Sequence, residues 1–543
     1  MPKIEVSKRD LENLLDREFS LEELENILVL AKGELDGVDG DNLKIDIKDS
    51  NRPDLWSCEG IARELKLRMG EKQKIEFKDS DVVVEVDENL KDIRPYISCC
   101  YVLGLKFTDQ MIKDIMALQE RLHAQLGRNR EKVAIGISNF DLVKPNLSYR
   151  ASTEDLKFPP LGYTEIMSPK EILQKHEKGQ AYAHLVSKKI PIFVDKNNQV
   201  ISMPPIINSN NLGRIDESTK NILIDVTGTD EKLVDQALLI LALNFKERGG
   251  KVHRVKIKSG KSEKFTPNMD KITVEAELTE IREITGLELE DKIILNLLER
   301  AGCSCSIKSG KIVAIYPPYR KDVFDERDLI EDILISYGYN NIVPLKMEIA
   351  TVGSETRIQR LSGVAEELMV GMGFQQAISF ILSSEEKENK LMNHSEKLCK
   401  ILNPVNQNYT AVRRSLLPNL LEFLSKNQHN EMPQKVFEVG KVIIGGDKER
   451  IFSSCVISNS TVNYEELSSI LDALISNLGY KLKLEKVADN RFIKGRVAKV
   501  FVDKKLAGVI GEITPAVLEN FGLETPVAAF EIELEFLIGS NIQ

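Results

Sequence analysis

The chain is poor in the residues that usually announce an active site. In 543 residues it has one tryptophan and six histidines. It contains no P-loop, no GxGxxG ahead of a helix, no HExxH and no serine nucleophile elbow, which excludes the enzyme classes those motifs mark. The seven cysteines are Cys58, Cys99, Cys100, Cys303, Cys305, Cys399 and Cys455. They are odd in number, scattered and without CxxC spacing. That excludes a disulfide framework or a structural zinc site and fits a reducing, cytoplasmic setting. Long apolar runs are also missing. The run 237–243 is far short of a membrane span, and the charged start MPKIEVSKRDLENLL has no signal-peptide core. A basic excess is absent too: net charge is −10. The chain as a whole is therefore no non-specific polyanion binder, and any RNA contact needs local basic patches or a partner chain.

What is present is ordinary globular material, 42% hydrophobic and 29% charged, in a length that suggests three or four domains. Residues 1–85 read as a small α/β unit. Its strands are expected near 4–6 and 44–48. Its helices are expected at 8–15 behind Ser7, at 21–31 behind Ser20 and Glu23, and at 58–68 behind Ser57. Arg52 beside Asp54 reads as an ion pair, and Trp56 as core or interface. Residues 86–262 read as mixed α/β. A helix is expected at 109–126, strands at 133–137 and 221–226, and a long helix at 231–247 ended by Gly249 and Gly250. His123, His176 and His184 read as surface or capping residues. Residues 263–345 read as helical segments at 275–284 and 291–301 with a hairpin over 303–316 turned at Ser309 and Gly310. Residues 346–543 read as a mostly antiparallel sheet with helices. Helix 356–371 is followed there by strands at 376–382, 497–502, 507–513 and 527–534. The whole is a multidomain α+β protein.

Two places concentrate chemistry. The first is PPYRKDVFDERDLIEDILISYGYNNIVP, residues 317–344. Leu329, Ile330, Ile333, Leu334 and Tyr337 make one helical face, while Asp328, Glu331 and Asp332 share another, with Asp322 just upstream. Such a cluster is either a solvated helix face offset by Arg320, Lys321 and Arg327, or a hard-cation site of the kind that suits Mg²⁺. The second is the strand–turn–helix corner 221–231, where Thr227, Gly228, Thr229 and Asp230 gather hydroxyls and free N–H groups at a helix start. Capping alone or a small polar ligand accounts for that pattern.

Taken in order, NRPDLWSCEGIAREL (51–65), PPIINSNN (204–211), NILIDVTGTD (221–230), ERGGKVHRV (247–255), RKDVFDERDLIEDILISYGYNNIVP (320–344), LNPVNQNYTAVRRSLLPNLL (402–421), FEVGKV (437–442), GRVAKV (495–500) and GVIGEITPAVLENF (508–521) resemble the β subunit of phenylalanyl-tRNA synthetase of the archaeal and eukaryotic type. The resemblance runs the length of the chain. It implies a class II ligase that joins phenylalanine to its tRNA with ATP, as a cytoplasmic tetramer of two α and two β chains with no membrane part. The aminoacylation site is expected on α. The layout it implies is an N-terminal α/β unit (1–85), an editing domain (86–262), a small acidic-helix domain (263–345) and a class II-like pseudo-catalytic domain (346–543). The last is expected to be inert, because no Gly-x-Gly-x-x-Arg follows Gly508. The editing domain is expected to hydrolyse tyrosine wrongly attached to this tRNA, a need that arises because an apolar pocket rejects an added hydroxyl only weakly. The editing candidates are Asn208, Ser209, Asp225, Thr227 and Thr229: Asp225 or Asn208 to read the tyrosine hydroxyl, Thr227 and Thr229 to orient water or ribose. In 136–141, Ser138 and Asn139 stand where a His/Asp-like pair is expected. Asp322, Asp328, Glu331 and Asp332 match the family's Mg²⁺ ligands shared with α. The alternatives are a purely structural β partner with a dead pocket, and a free-standing RNA-binding or deacylating protein.

Overall fold

The computed structural model describes residues 3–347 and 351–537, apart from 154, 187–188 and 536. It has two compact units, 1–346 and 347–543.

The first unit opens with a three-stranded sheet in the order Lys3–Ser7, Asn42–Ile47, Gly33–Asp39. Its helices start where the capping residues predict. Ser7 accepts from the Asp10 N–H, Ser20 and Glu23 cap each other's backbone, and Ser57 accepts from the Gly60 N–H at 3.1 Å. The 21–31 helix is α only to Leu28 and closes as a 3₁₀ turn. Arg52 and Asp54 form the expected bidentate pair at 2.9 Å, and Trp56 is buried.

A large mixed sheet follows in the order Ile207–Asn208, Val200–Met203, Pro191–Val194, Leu147–Ala151, Lys78–Val86, Lys251–Ser259, Tyr96–Leu103, Ile222–Gly228, Val133–Asn139, with Ser262–Thr266 paired outside 251–259. It reaches beyond the expected 86–262 at both ends. One face carries Ile224, Val226, Ile135 and Ile137 under helix Glu231–Glu247, whose middle is wholly buried. The other carries Cys99, Leu223, Tyr149, Phe193 and Val255. This is the side-chain alternation of a strand. The two ends of the sheet come together: Asn208 Nδ2 donates to the Ile137 carbonyl at 3.0 Å.

The third segment corrects an expectation. The helix read at 275–284 begins only at Leu278. Ile272–Glu277 is a strand, because Ile272, Val274 and Ala276 alternate against Lys311–Tyr316. The hairpin Ser304–Lys308 with Lys311–Tyr316 turns at Ser309 and Gly310, both left-handed. The acidic helix spans Glu326–Tyr337.

These three segments are locked together by buried charge. Arg52 donates to Asp54 and Glu64, and Arg68 to Glu64 and Asp332. Arg320 donates to Asp322 and Asp332 at 2.8–3.1 Å. Arg248, at the end of the long helix, grips Asp10 and Glu59 at 2.6–2.7 Å.

In the second unit a seven-stranded sheet runs Gln375–Gln376, Gln434–Ile444, Lys448–Ser458, Val527–Glu533, Lys505–Ile513, Phe492–Val502, Leu482–Lys486. Only the first pairing is parallel. Helices Arg357–Gly371 and Tyr464–Asn477 pack on the Phe437 and Cys455 face, and Leu417–Lys426 on the Val436 and Val456 face. The strand expected at 376–382 is two short pieces. Gln375–Gln376 joins the large sheet, Leu382–Ser383 joins a separate three-stranded one, and the chain crosses between them with Ile378 and Phe380 at 90% and 77% exposure.

Candidate functional site

A cavity of about 200 Å³ opens where the two ends of the large sheet meet. Helix Asp109–Ala124 supplies Ile112, Ile115 and His123 to its wall. Strand 133–139 supplies Gly136, segment 202–208 supplies Ser202 and Asn208, and strand 222–228 supplies Asp225. Glu120, Lys178 and Arg214 stand exposed at the rim.

Asp225 is the buried carboxylate of this cavity, which Ser202, His123 and Arg130 also line as buried polar residues. Its Oδ2 accepts from Ser202 Oγ at 3.2 Å, and its Oδ1 has no partner. Burial pushes its carboxyl up to about 7, against a smaller opposing pull from the Ser202 hydroxyl. A buried oxygen without a donor costs free energy, and the cavity beside it offers room for one. Gly136 makes this possible. It stands opposite Asp225 in the ladder, and a Cβ there would lie 2.5 and 2.8 Å from the carboxylate oxygens. A glycine inside an apolar strand is the sequence signal of such a close approach.

The walls are pinned from behind. His123 is buried and not at the surface as expected: its Nε2 accepts from the Ile135 N–H at 2.8 Å, and burial lowers its pKa, so the ring is neutral and structural. Arg130 donates to the Pro205 and Ile206 carbonyls at 3.3 and 3.1 Å, pairs with Glu120 at 2.9 Å and lies over the Tyr182 ring. Arg128, Asn129 and Arg130 are all left-handed, with φ of 46°, 54° and 70°, an arrangement that costs free energy at each residue. Arg94 offsets this by donating to the Arg130 and Glu131 carbonyls at 3.1 and 3.2 Å. Burial draws the Arg94 guanidinium down to about 10, still charged at neutral pH.

Of the five editing candidates, the structure brings Asn208 and Asp225 to the cavity. Ser209 is buried in the turn beside it, where its hydroxyl accepts from the Asn211 N–H at 3.2 Å. Thr227 is buried and held by Arg94, through Nε to Oγ1 at 2.9 Å and Nη2 to its carbonyl at 2.6 Å. Thr229 is exposed and donates to the Glu131 carbonyl at 3.3 Å. Asp230 caps the long helix, so capping and side-chain bonds absorb the strand–turn–helix corner. Ser202, Gly136, Arg94 and Arg130 went unselected. Gly136 lay inside the segment singled out. The others are single residues whose importance comes from long-range contacts.

The four acidic candidates separate in the same way. Asp322 and Asp332 are buried and closed by guanidinium groups; Asp332 meets Arg68 at 2.5 Å and Arg320 at 2.8 Å. Asp328 accepts from the Phe324 and Asp325 N–H groups at 2.6 and 3.2 Å, capping its own helix. Glu331 is exposed and accepts from Lys32 at 3.0 Å. Among the described residues no three acidic, histidine or cysteine side chains converge on a metal position.

Comparison with known proteins settles the kinship. A family profile described as "Phenylalanyl tRNA synthetase beta chain CLM domain" matches residues 326–534, and one described as "tRNA synthetase B5 domain" matches 274–339. A phenylalanine–tRNA ligase beta subunit from Pyrococcus abyssi is 44% identical over 98% of this chain and 99% of its own length. The chain belongs to the phenylalanine–tRNA ligase beta subunit family. A second family member, from Archaeoglobus fulgidus, is 37% identical over 98% of each chain. The crystal structure of an N-terminal fragment of the phenylalanyl-tRNA synthetase beta subunit from Pyrococcus horikoshii is 45% identical, with a TM-score of 0.60. It covers 62% of this chain and 100% of the fragment. The family places the chain among the aminoacyl-tRNA synthetases, as a subunit named for an alpha partner. Among the described residues no helix is long and apolar enough to cross a membrane.

Proposed function

We propose that this chain acts as the beta subunit of a phenylalanine–tRNA ligase, paired with alpha chains that carry ATP-dependent aminoacylation. We further propose that its own cavity hydrolyses tyrosyl-tRNA made in error. The observation that carries the hydrolytic part is the unpartnered Oδ1 of Asp225 in a largely apolar cavity. Such a group is matched by a hydroxyl and left orphaned by a phenyl ring, which is how a site separates tyrosine from phenylalanine. With the ring seated on Asp225, the ester lies toward the charged rim. There water attacks the carbonyl carbon and the bond to the ribose oxygen breaks, releasing tyrosine and free tRNA. Donors aimed at the developing oxyanion are what this step needs, and Arg214, Lys178 and Asn208 are donors in the cavity lining that can serve it. The competing view, a structural subunit with a dead pocket, leaves the orphaned carboxylate unexplained.

The test is deacylation of tyrosyl-tRNA and phenylalanyl-tRNA by the purified complex. We expect the tyrosyl ester to be cleaved at least about tenfold faster, the scale on which a hydrogen-bonding site discriminates. Gly136→Ala, which crowds Asp225, should remove that preference while aminoacylation stays within twofold. Equal rates on both esters would refute the selection of tyrosine by Asp225, and cleavage of neither would refute the hydrolytic function.

The second unit supports the inert-core expectation through its charge. Arg413 is buried, and its Nε and Nη1 are held by the Lys441 carbonyl at 2.7 Å, Ser379 Oγ at 2.9 Å and Glu438 at 2.6 Å, which ties two of its three nitrogens to the protein instead of to a phosphate. We read this unit as a pairing scaffold for the alpha chain.

For Mg²⁺ the fit within this chain is partial. Asp322 and Asp332 do not fit as ligands, because guanidinium groups hold them. Asp328 and Glu331 fit as two surface carboxylates that a partner chain's ligands would complete, and a cation there would neutralise charge across that contact. Manganese titration of the complex, followed by its paramagnetic signal, is expected to show one tight site lost in the Asp328→Asn, Glu331→Gln double variant. An unchanged count returns the acidic helix to a solvated face.

A further inference from the structure

Three rings lie in a row on the face of the large sheet that carries Asp225. Phe140 stacks on Tyr101 with centroids 4.4 Å apart and planes within 15°. Tyr101 stacks on His253 at 4.8 Å and 4°. The register builds the row. Tyr101 stands opposite Leu223 on one side and His253 on the other, and Phe140 follows the Asn139–Ile222 pair. Asp225 and Leu223 are two residues apart on one strand and so share a face, which sets the row about 7 Å along the strands from Asp225.

The rings are half-buried. Tyr101 and Phe140 lean on the core beneath, beside Leu223 and Val255. The His253 end opens on two exposed ammonium groups. Lys78 is paired across from His253, and Lys251 lies two residues before it. Among the described residues neither has a carboxylate partner. Burial first, and then these two lysines, hold the His253 pKa below its ordinary value, so the imidazole is a neutral flat ring at neutral pH. The nearby acids are occupied: Asp79 pairs with Arg254 at 2.6 Å, and Asp141 accepts from Asn221 at 2.6 Å. In a chain of net charge −10, a stacked aromatic row ending in uncompensated lysines is the local exception. Flat rings beside backbone-neutralising cations are the chemistry that holds unpaired nucleotides.

We propose that this row is a platform for single-stranded RNA, namely the 3′ strand of the tRNA whose ester enters the Asp225 cavity. An unpaired base extends the row at its His253 end, and Lys78 and Lys251 neutralise adjacent phosphates. The platform rests on the hydrolytic function proposed above, and its test separates the two.

The complex is assayed on tyrosyl-tRNA and on 3′-O-tyrosyl adenosine, which carries the ester without an upstream strand. The variants are His253→Ala, which removes a ring at the end of the row, and Lys78→Glu with Lys251→Glu, which leaves the core untouched. None of the three residues lines the cavity. In each variant KM for tyrosyl-tRNA is expected to rise about tenfold or more, the effect of losing one stacked base or its phosphate contacts. The kcat should stay within twofold and tyrosyl-adenosine hydrolysis should not change. The double lysine variant should also flatten the logarithmic salt dependence by a slope of about 1.4, for two phosphates on a single strand. An unchanged KM in both variants overturns the platform, as does an equal loss on both substrates, which would mean a disturbed cavity. If the unaltered complex cleaves neither ester, hydrolysis is what fails. Binding of a labelled single-stranded RNA oligonucleotide, about tenfold weaker in the variants if the platform stands and unchanged if it does not, then decides the platform alone.

Discussion

Asp225→Asn is expected to cut tyrosyl-tRNA hydrolysis by about 10- to 100-fold, the worth of a hydrogen bond to a charged acceptor, while making the chain more stable above neutral pH. Both effects come from one carboxyl. Buried beside Ser202 with one oxygen unmatched, it titrates at about 7 in the fold, against about 3.9 when unfolded. The native state therefore holds its proton more tightly. Between about pH 4 and 7 the unfolded chain binds fewer protons than the native one, so stability falls as pH rises, and it levels off above 7. About three units at 1.36 kcal/mol each set an upper bound near 4 kcal/mol. Asparagine keeps the shape and has no charge to bury. Thermal unfolding of the two proteins should coincide near pH 4 and separate by pH 8, with the variant higher. Wild-type hydrolysis should gain an inflection near pH 7 that the variant lacks. A variant that is less stable at pH 8 than at pH 4, relative to wild type, would show that Asp225 finds a partner in the fold.

Asp332→Ala should be the most damaging change in the acidic helix and Glu331→Ala among the mildest, although the two residues are neighbours. Asp332 is 1% exposed and answers both Arg68 and Arg320. Removing one partner of a buried ion network strands the others, at a cost of about 3–5 kcal/mol. Among the described residues Glu331 pairs with Lys32 alone, near the surface, where an ion pair contributes about 0–1 kcal/mol. Scanning calorimetry should show the first unit melting at least about 5 °C lower in Asp332→Ala and within about 2 °C of wild type in Glu331→Ala. The network also predicts acid lability. Burial alone would raise the Glu64 carboxyl, but Arg52 and Arg68 outweigh it and hold it at about 2. Arg320 and Arg68 likewise hold Asp332 well below the carboxylate range. Depressed carboxylates stabilise fully above their unfolded pKa near 4, and that stability drains away as pH falls toward 2. Asp332→Ala should show a shallower acid limb. If the two variants melt together, the buried network contributes nothing to holding the three segments.

Much of the fold was legible because it is local. Ser7, Ser20, Ser57 and Asp230 start helices wherever they stand, since a side-chain oxygen two or three residues from a free N–H needs no other partner. The 303–316 hairpin and the buried 231–247 helix are likewise short-range patterns. The misreadings fell where a strand depends on a distant partner. The start of the 275–284 segment looks helical until Lys311–Tyr316 lies beside it, and 376–382 splits because its two ends join different sheets.

The site divides along the same line. By itself, the sequence determined the family, through an ordered series of segments spanning the chain, and it named Asp225 and Asn208. It could not separate Asp225 from Thr227, two residues on, because both are polar side chains on one face of one strand. Only the tertiary structure decided that one borders an open cavity opposite a glycine while the other is filled by Arg94. Nor could helical spacing show that Asp332 and Glu331 differ, since the partners that close Asp332 come from residues 68 and 320. A carboxylate's chemistry is set by what stands within a few ångströms of it, and for Asp332 those neighbours lie as far as 264 residues away, for Glu331 299.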